Sequence, residues 1–322
     1  MKLRLLDTRD TDPYVNLALE EHLLSLAQGE IVLYLWQNDH TVVIGHNQNA
    51  LRDVNLTRLK EDGGRLARRL SGGGAVYHDL GNLNFTFIVP KTAYDPARQT
   101  RVVLEAARAL GIPAEASGRN DLLAQGRKFS GNAYYCRGDV WYHHGTLLVS
   151  SDLDALQRYL NVSPEKLKAR GVASVRSRVC NLCEFAPGVD VQAARRAMAA
   201  AFGAAYGGKV ELFDKNRIHM DAVGEIKRRI VEEKYLLGER MPFDVALARR
   251  FAWGEMQLSL CVRGGRIKAC QAHSDAMDEQ AVECLPRRLT GCAVDAAAFA
   301  RALEGWADAR LRSDVLALLR TL

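Results

Sequence analysis

RRLSGGGAVYHDLGNLNFTF, residues Arg68 to Phe87, joins two arginines, three consecutive glycines and a strand-like run. Gly72, Gly73 and Gly74 lack a β-carbon, so backbone there can lie directly against a ligand and take positive φ. Successive exposed N–H groups can then cradle an anion. Arg68 and Arg69 add donors that match phosphate or carboxylate geometry. After the glycines, Leu83, Phe85, Phe87 and Val89 alternate with Asn84, Thr86 and Ile88, the two-residue period of a strand. The segment is not a P-loop, because no Lys-Ser/Thr pair follows the glycines and no helix opens there. Nor is the spacing that of G-x-G-x-x-G. A glycine turn feeding a strand, placed at a site for a nucleotide-like anion, is the sharper reading; a plain tight hairpin is the blander one.

Working outward, residues 118–133 read GRNDLLAQGRKFSGNA. Arg119, Asn120 and Asp121 precede Leu122 and Leu123, a turn falls at Gln125-Gly126, and Lys128 stands just before Ser130-Gly131. Asn120 and Asp121 offer oxygen ligands of the kind Mg²⁺ accepts. Lys128 offers a compact point charge for phosphate or carboxylate oxygens. Taken alone, this stretch reads first as a solvated turn with an ordinary surface lysine.

Together with HHGTLL (His143 to Leu148), these blocks resemble the signature blocks of the lipoate–protein ligase family, in the same order and with the same separation. LWQNDHTVVIGHNQN (Leu35 to Asn49) and GVASVRSRV (Gly171 to Val179) are similar to that family as well, and the resemblance runs from the N-terminus to about Tyr206. The resemblance implies an α+β fold: a mixed, mainly antiparallel sheet flanked by helices, shared with biotin ligases, followed by a small C-terminal α+β accessory domain. It implies activation of lipoate by ATP to lipoyl-AMP and pyrophosphate. The lipoyl group then passes to a lysine of a lipoyl-domain protein: an E2 subunit of a 2-oxoacid dehydrogenase or the glycine cleavage H protein. It further implies Lys128 as the catalytic cation. Around ATP or lipoyl-AMP it implies Arg69, Ser71, Gly72, Gly73, Gly74, Ala75, Val76, Tyr77, His78, Asn120, Asp121, Lys128, Ser130 and Gly131. Toward lipoate it implies Arg69, Lys128, His144 and Gly145. Asp121 is the candidate Mg²⁺ ligand. The alternative is a lipoyl or octanoyl transferase that works from preformed acyl-AMP or an acyl carrier, without ATP activation.

The residue types suit this chemistry. Joining two anions requires positive charge, which Lys128 can supply as charge develops. The transfer step needs a neutral amine, although free lysine has a pKa of ~10.4. No general base is evident: His78 and His144 are candidates by type, but each reads first as a local hydrogen-bonding group. Leu17, Val76, Tyr77 and Leu147 are possible walls of a narrow apolar slot, and more simply plain core.

Bulk properties set bounds. The chain has 322 residues, 48% of them hydrophobic, and a formal net charge of +6. That length suggests two domains, placed at 1–238 and 239–322 with the linker at Gly238 to Pro242. No apolar run reaches the ~18 residues of a membrane span. The N-terminal MKLRLLDTRDTDP has no signal-peptide core, so a cytoplasmic protein is expected. Seven cysteines do not read as a disulfide framework. Cys180 and Cys183 form a C-x-x-C without the second pair that zinc requires, and Cys136 lies near the Lys128 block; a catalytic cysteine is the minority reading. The modest positive charge lacks aromatic–basic interleaving for nucleic acid and suits an acidic protein partner.

Periodicity places helices over 13–27, 101–110, 152–160, 190–206 and 221–237, one ending near Gly63, and one starting at Ser163-Pro164. Strands are expected at 31–36, 41–45, 83–89 and 141–149. In the accessory region, 256–262 and 267–272 flank a hairpin turn, and helices start at Glu279 and Val294.

Overall fold

The computed structural model describes residues 1–27, 29–118, 120–161 and 178–322. The helix expected from Ser163-Pro164 and most of the 171–179 block lie outside the described residues.

The chain opens with β1 (Lys2–Asp7), α1 (Pro13–Leu26), β2 (Glu30–Trp36), β3 (Thr41–Ile44), the short α2 (Ala50–Asp53), α3 (Leu56–Glu61), β4 (Arg65–Arg68), β5 (Val76–His78) and β6 (Asn82–Pro90). α4 (Pro96–Ala109) leads to β7 (Ala114–Ser117), β8 (Asp121–Ala124), β9 (Arg127–Arg137), β10 (Val140–Leu148) and α5 (Leu153–Tyr159). α6 (Val191–Tyr206), β11 (Val210–Leu212), α7 (Met220–Ile230) and α8 (Glu233–Leu237) follow. Asx residues start most of these helices. The side chains of Asp12, Asn55, Asp95, Asp152 and Asp190 each accept a first-turn N–H, satisfying donors that a helix start leaves unpaired. The single helix expected over 221–237 is two, broken at Val231 and Glu232. The 101–110 helix begins five residues earlier, at Pro96 behind its Asp95 cap.

Eight strands form one mixed sheet in the order β11-β1-β2-β6-β10-β9-β8-β7. The β11–β1 and β1–β2 pairs are parallel and the others antiparallel. β2 is buried throughout and β6 is buried up to its last residue, Pro90, because helices cover both faces. One face carries Phe85, Phe87 and Phe129 under α4 and α6, the latter contributing Phe202; the other carries Tyr34, Trp36, Ile88 and Tyr142 under α1. Each such side chain contributes about 1.5–3 kcal/mol on burial. A small sheet, β4-β3-β5, stands beside it and holds both ends of the glycine turn.

Beyond Gly238, β12 (Val245–Phe251), β13 (Gly254–Arg263) and β14 (Arg266–Ser274) form an antiparallel sheet, with α9 (Glu279–Leu289), α10 (Ala296–Ala302) and α11 (Ala309–Leu319) packed on a separate core. The expected hairpin is present; β12 and α11 add to it. This unit rests on the catalytic-side sheet through Ser274 N–H to Asn47 O (2.9 Å), Asn47 Nδ2 to Glu279 O (2.8 Å) and an Arg52–Glu255 ion pair of 2.5 Å. Among the described residues, no helix is long and apolar enough to cross a membrane.

Candidate active site

β8 and β9 form a hairpin about Gln125 and Gly126, both with positive φ (48° and 74°), as the turn there requires. The pairing then slips: Leu122 faces Ser130, but Leu123 faces Lys128. Phe129 is the extra residue of a β-bulge, and such a bulge re-aims its neighbours. Without it, residues 128 and 131 would point to opposite faces; with it, both border one cavity. Gly131 is needed there, since a β-carbon would meet Lys128 Nζ at 2.7 Å.

Lys128 Nζ sits 2.7 Å from Asp121 Oδ1, with its side chain 21% exposed. Arg178 pairs with the other oxygen of Asp121. Burial pushes the Asp121 carboxyl up, but the adjacent Lys128 and Arg178 charges outweigh it and hold it below the ordinary carboxylate range. A carboxylate shared by two cations orients them. Among the described residues, no group of three or more His, Cys, Asp or Glu side chains is placed to hold a metal. Asp121, the expected Mg²⁺ ligand, borders the cavity and is paired with Lys128 and Arg178.

The cavity, of about 680 Å³, lies between the large sheet and the accessory unit. Arg69, Gly73, Gly74, Ala75, Val76, His78, Asn120, Asp121, Lys128, Gly131, His144 and Gly145 all line it. Four of the expected residues do not. Tyr77 points to the opposite face of β5, packed on Tyr159 and His40, because alternate strand residues face opposite ways. Ser71 is fully buried between Arg69 and His144. Ser130, paired with Leu122, is turned into the interior. Gly72 packs on the accessory unit, where a β-carbon would meet Ala276 O at 2.4 Å. Of the possible slot walls, Leu17 and Val76 border the cavity, whereas Tyr77 and Leu147 belong to the core.

The arginines differ from the expectation that both face an anion. Arg68 is buried and donates to five backbone carbonyls: Gly45, His46 and Gln48 after β3, and Tyr235 and Leu236 in α8. It ties the last helix before the accessory unit to the strand beside the glycine turn. Arg69 donates to Val43 O (3.2 Å), Gly72 O (2.7 Å) and Gly74 O (2.9 Å), so it shapes the turn from within. Burial pulls both guanidinium groups down to about 10. The turn is also not a free row of donors, since Gly73 N–H donates to Ala276 O of the accessory unit at 2.9 Å.

The histidines are buried and locally bonded. Burial lowers His78 and His143 to about 3, so both are neutral. His143 Nε2 meets Asn132 Oδ1 at 2.8 Å, and Asn132 Nδ2 donates to Asn120 O at 3.0 Å, which holds the Asn120 loop at the cavity rim. Cys180 is buried, its thiol pushed up to about 11 by burial, and Cys136 is raised for the same cause. Neither borders the cavity, and among the described residues the seven cysteines are free. Arg178 is a site residue that sequence reasoning did not single out. It lies inside the quoted 171–179 block, which is a usable signal.

A mixed sheet flanked by helices, followed by a small C-terminal α+β unit, is the architecture of lipoate–protein ligases. The chain belongs to the family defined by the lipoyl protein ligase A/B catalytic domain, which matches residues 12–203, and residues 240–313 match the bacterial lipoate protein ligase C-terminus. It is similar to LipL1 of P. falciparum, solved in complex with lipoate, over 98% of both chains at 25% identity and a TM-score of 0.87. A lipoate-protein ligase A bound with ATP covers 74% of this chain and 99% of its own at 27% identity, TM-score 0.64. The archaeal bi-partite lipoate protein ligase of Thermoplasma acidophilum, described with its E2 lipoyl domain, covers 76% and 98% at 28% identity, TM-score 0.63.

Proposed function

We propose that this ligase activates lipoate with ATP as lipoyl-AMP and transfers the lipoyl group to a lysine of a lipoyl-domain protein. The observation that carries the reading is the Lys128 ammonium, held by Asp121 at 2.7 Å in the same cavity as the glycine turn. A carboxylate oxygen attacks the α-phosphorus, and pyrophosphate leaves. Both reactants are anions, and a fixed cation between them stabilises the charge that develops. Asp121 and Arg178 keep Lys128 aimed, so little reorganisation is needed. Gly73 to Val76 supply backbone close enough for nucleotide contact, since Gly73 and Gly74 present no side chain. In the second step the acceptor's neutral amine attacks the mixed anhydride, AMP leaves with the bonding electrons, and the amine's proton is lost. His144 is bonded at both ring nitrogens and burial keeps His78 neutral, so the proton passes to the departing phosphate or to water, and proximity supplies most of the acceleration, roughly 7–11 kcal/mol for a well-oriented pair.

Relatives with lipoate, with ATP and with an E2 lipoyl domain support lipoate and ATP as substrates and lipoyl-domain proteins as acceptors. Division at 238/239 is supported by the C-terminal match beginning at 240 and by the positive φ (79°) of Gly238. The test is pyrophosphate release from ATP by purified protein given lipoate, octanoate or biotin in parallel. Release with lipoate and not biotin is expected. No release with lipoate, alongside transfer from preformed lipoyl-AMP, would replace the ligase reading with the transferase one.

A further inference from the structure

Glu20 lies on α1 and is 2% exposed. It is outside the cavity wall, yet it anchors a hydrogen-bond chain that surfaces in that wall at several points. Trp36 Nε1 donates to Thr86 Oγ1 (3.0 Å), and Thr86 Oγ1 donates to Glu20 Oε1 (2.6 Å). His144 Nδ1 lies 2.9 Å from the same oxygen, and His144 Nε2 lies 2.7 Å from Ser71 Oγ. Arg69 Nε donates to Ser71 Oγ at 3.1 Å, and Arg69 Nη2 to Gly72 O and Gly74 O.

One set of proton positions satisfies the whole chain. A carboxylate only accepts, so His144 carries its proton on Nδ1. His144 Nε2 then accepts from the Ser71 hydroxyl, and Ser71 Oγ accepts from Arg69. The order Glu–His–Ser is that of an acyl-transfer triad, but Ser71 is fully buried and outside the cavity wall, so it is no nucleophile. The chain's exits are what matter. Trp36 and His144 border the cavity, as does apolar Leu17, and Arg69 borders it with Gly73 and Gly74. The imidazole therefore touches the space where an acyl chain would lie and also fixes the hydroxyl that holds Arg69 against the glycine turn.

We propose that Glu20 is a positioning residue whose chain through His144, Ser71 and Arg69 couples occupancy of the apolar slot to the shape of the glycine turn, so that lipoate and ATP bind synergistically. This rests on the functional reading above. An acyl chain packed on the His144 ring holds it in the plane that bonds both Glu20 and Ser71. Arg69 then keeps the Gly72 and Gly74 carbonyls turned inward, and the turn is set for the nucleotide. By linkage, the nucleotide must favour lipoate by the same factor.

The test is isothermal titration of the full chain with the α,β-methylene analogue of ATP, which resists cleavage at the α-phosphorus, with and without saturating lipoate. The reciprocal titration checks the factor. Wild type should show lipoate tightening the analogue's Kd by roughly 5–150-fold, the usual span of such coupling. Ser71→Ala should bring that ratio to within about twofold of unity, and Glu20→Gln, which keeps the shape and removes the charge, should lower it. A role confined to core stability would weaken both ligands and leave the ratio unchanged. Folded Ser71→Ala or Glu20→Gln with wild-type coupling overturns the proposal, as does wild type that binds both ligands independently. Wild type that binds neither lipoate nor the analogue overturns the functional reading itself, and the coupling with it.

Discussion

Gly131→Ala separates the placement of Lys128 from the stability of the fold. Gly131 does not have positive φ, so its backbone accepts alanine. The new β-carbon would meet Lys128 Nζ at 2.7 Å and Cε at 2.9 Å, with Thr146 Oγ1 at 4.0 Å. The crowded atoms are the far end of a flexible chain, so the ammonium moves and the sheet does not. To reach ordinary contact at 3.4 Å, Nζ must retreat by roughly 0.7 Å, away from the position set by Asp121. Displacement of a reacting group by about 1 Å can cost ~10²-fold in rate, so a 10- to 100-fold fall in lipoate-dependent pyrophosphate release is expected. Stability should hold or rise by a few tenths of a kcal/mol, because alanine narrows the unfolded chain's freedom. The assay pair is initial-rate pyrophosphate release and thermal unfolding of the same preparations. Unchanged turnover in a folded Gly131→Ala protein would show that Lys128 need not stand where Asp121 holds it.

Other expected outcomes follow from the same geometry. Gly72→Ala drives a β-carbon into Ala276 O and Met277 O, both backbone atoms (2.4 and 2.8 Å), so hydrogen exchange should rise in residues 275–279 and at the glycine turn; unchanged protection would refute that contact. Arg68→Ala leaves five carbonyls without their donor and should lower stability by on the order of 3 kcal/mol, read by urea denaturation. Burial raises Glu279 to about 7 from its ordinary 4.5. The native state then holds the proton more tightly than the unfolded state, so the stabilising term is full below about pH 4.5 and is lost as pH rises through about 7. Glu279→Gln should therefore be more stable than wild type at pH 8, by on the order of 3 kcal/mol, with the difference shrinking toward pH 5; a pH-independent difference would contradict it.

The parts of the fold that were legible in sequence are those with long periodic signals and explicit caps: α1 behind Asp12-Pro13, β2, β6, α6 behind Asp190, and the accessory hairpin. Short strands were not. β7 carries Glu115 and Ser117 toward solvent, and β12, at a sheet edge, carries the consecutive arginines Arg249 and Arg250. What makes them strands is pairing with the next strand, β7 on β8 and β12 on β13, which their own side-chain pattern does not announce. At the site, glycine content and the lysine block pointed to residues that the structure brings to one cavity. Orientation was less accessible. Strand alternation alone separates Tyr77 from Val76 and His78, but nothing local tells that Arg68 serves carbonyls of a helix some 167 residues away. The bulge at Phe129, which turns Lys128 inward, likewise exists only in the β8–β9 register.

Lys128→Ala, assayed for lipoyl-AMP formation from lipoate and ATP, tests the central claim most directly. Loss of a preorganised cation of this kind lowers rates by about 10²–10³-fold, so adenylate formation should fall at least that far while the protein still unfolds cooperatively. Wild-type adenylate formation without the residue 128 ammonium would contradict the account.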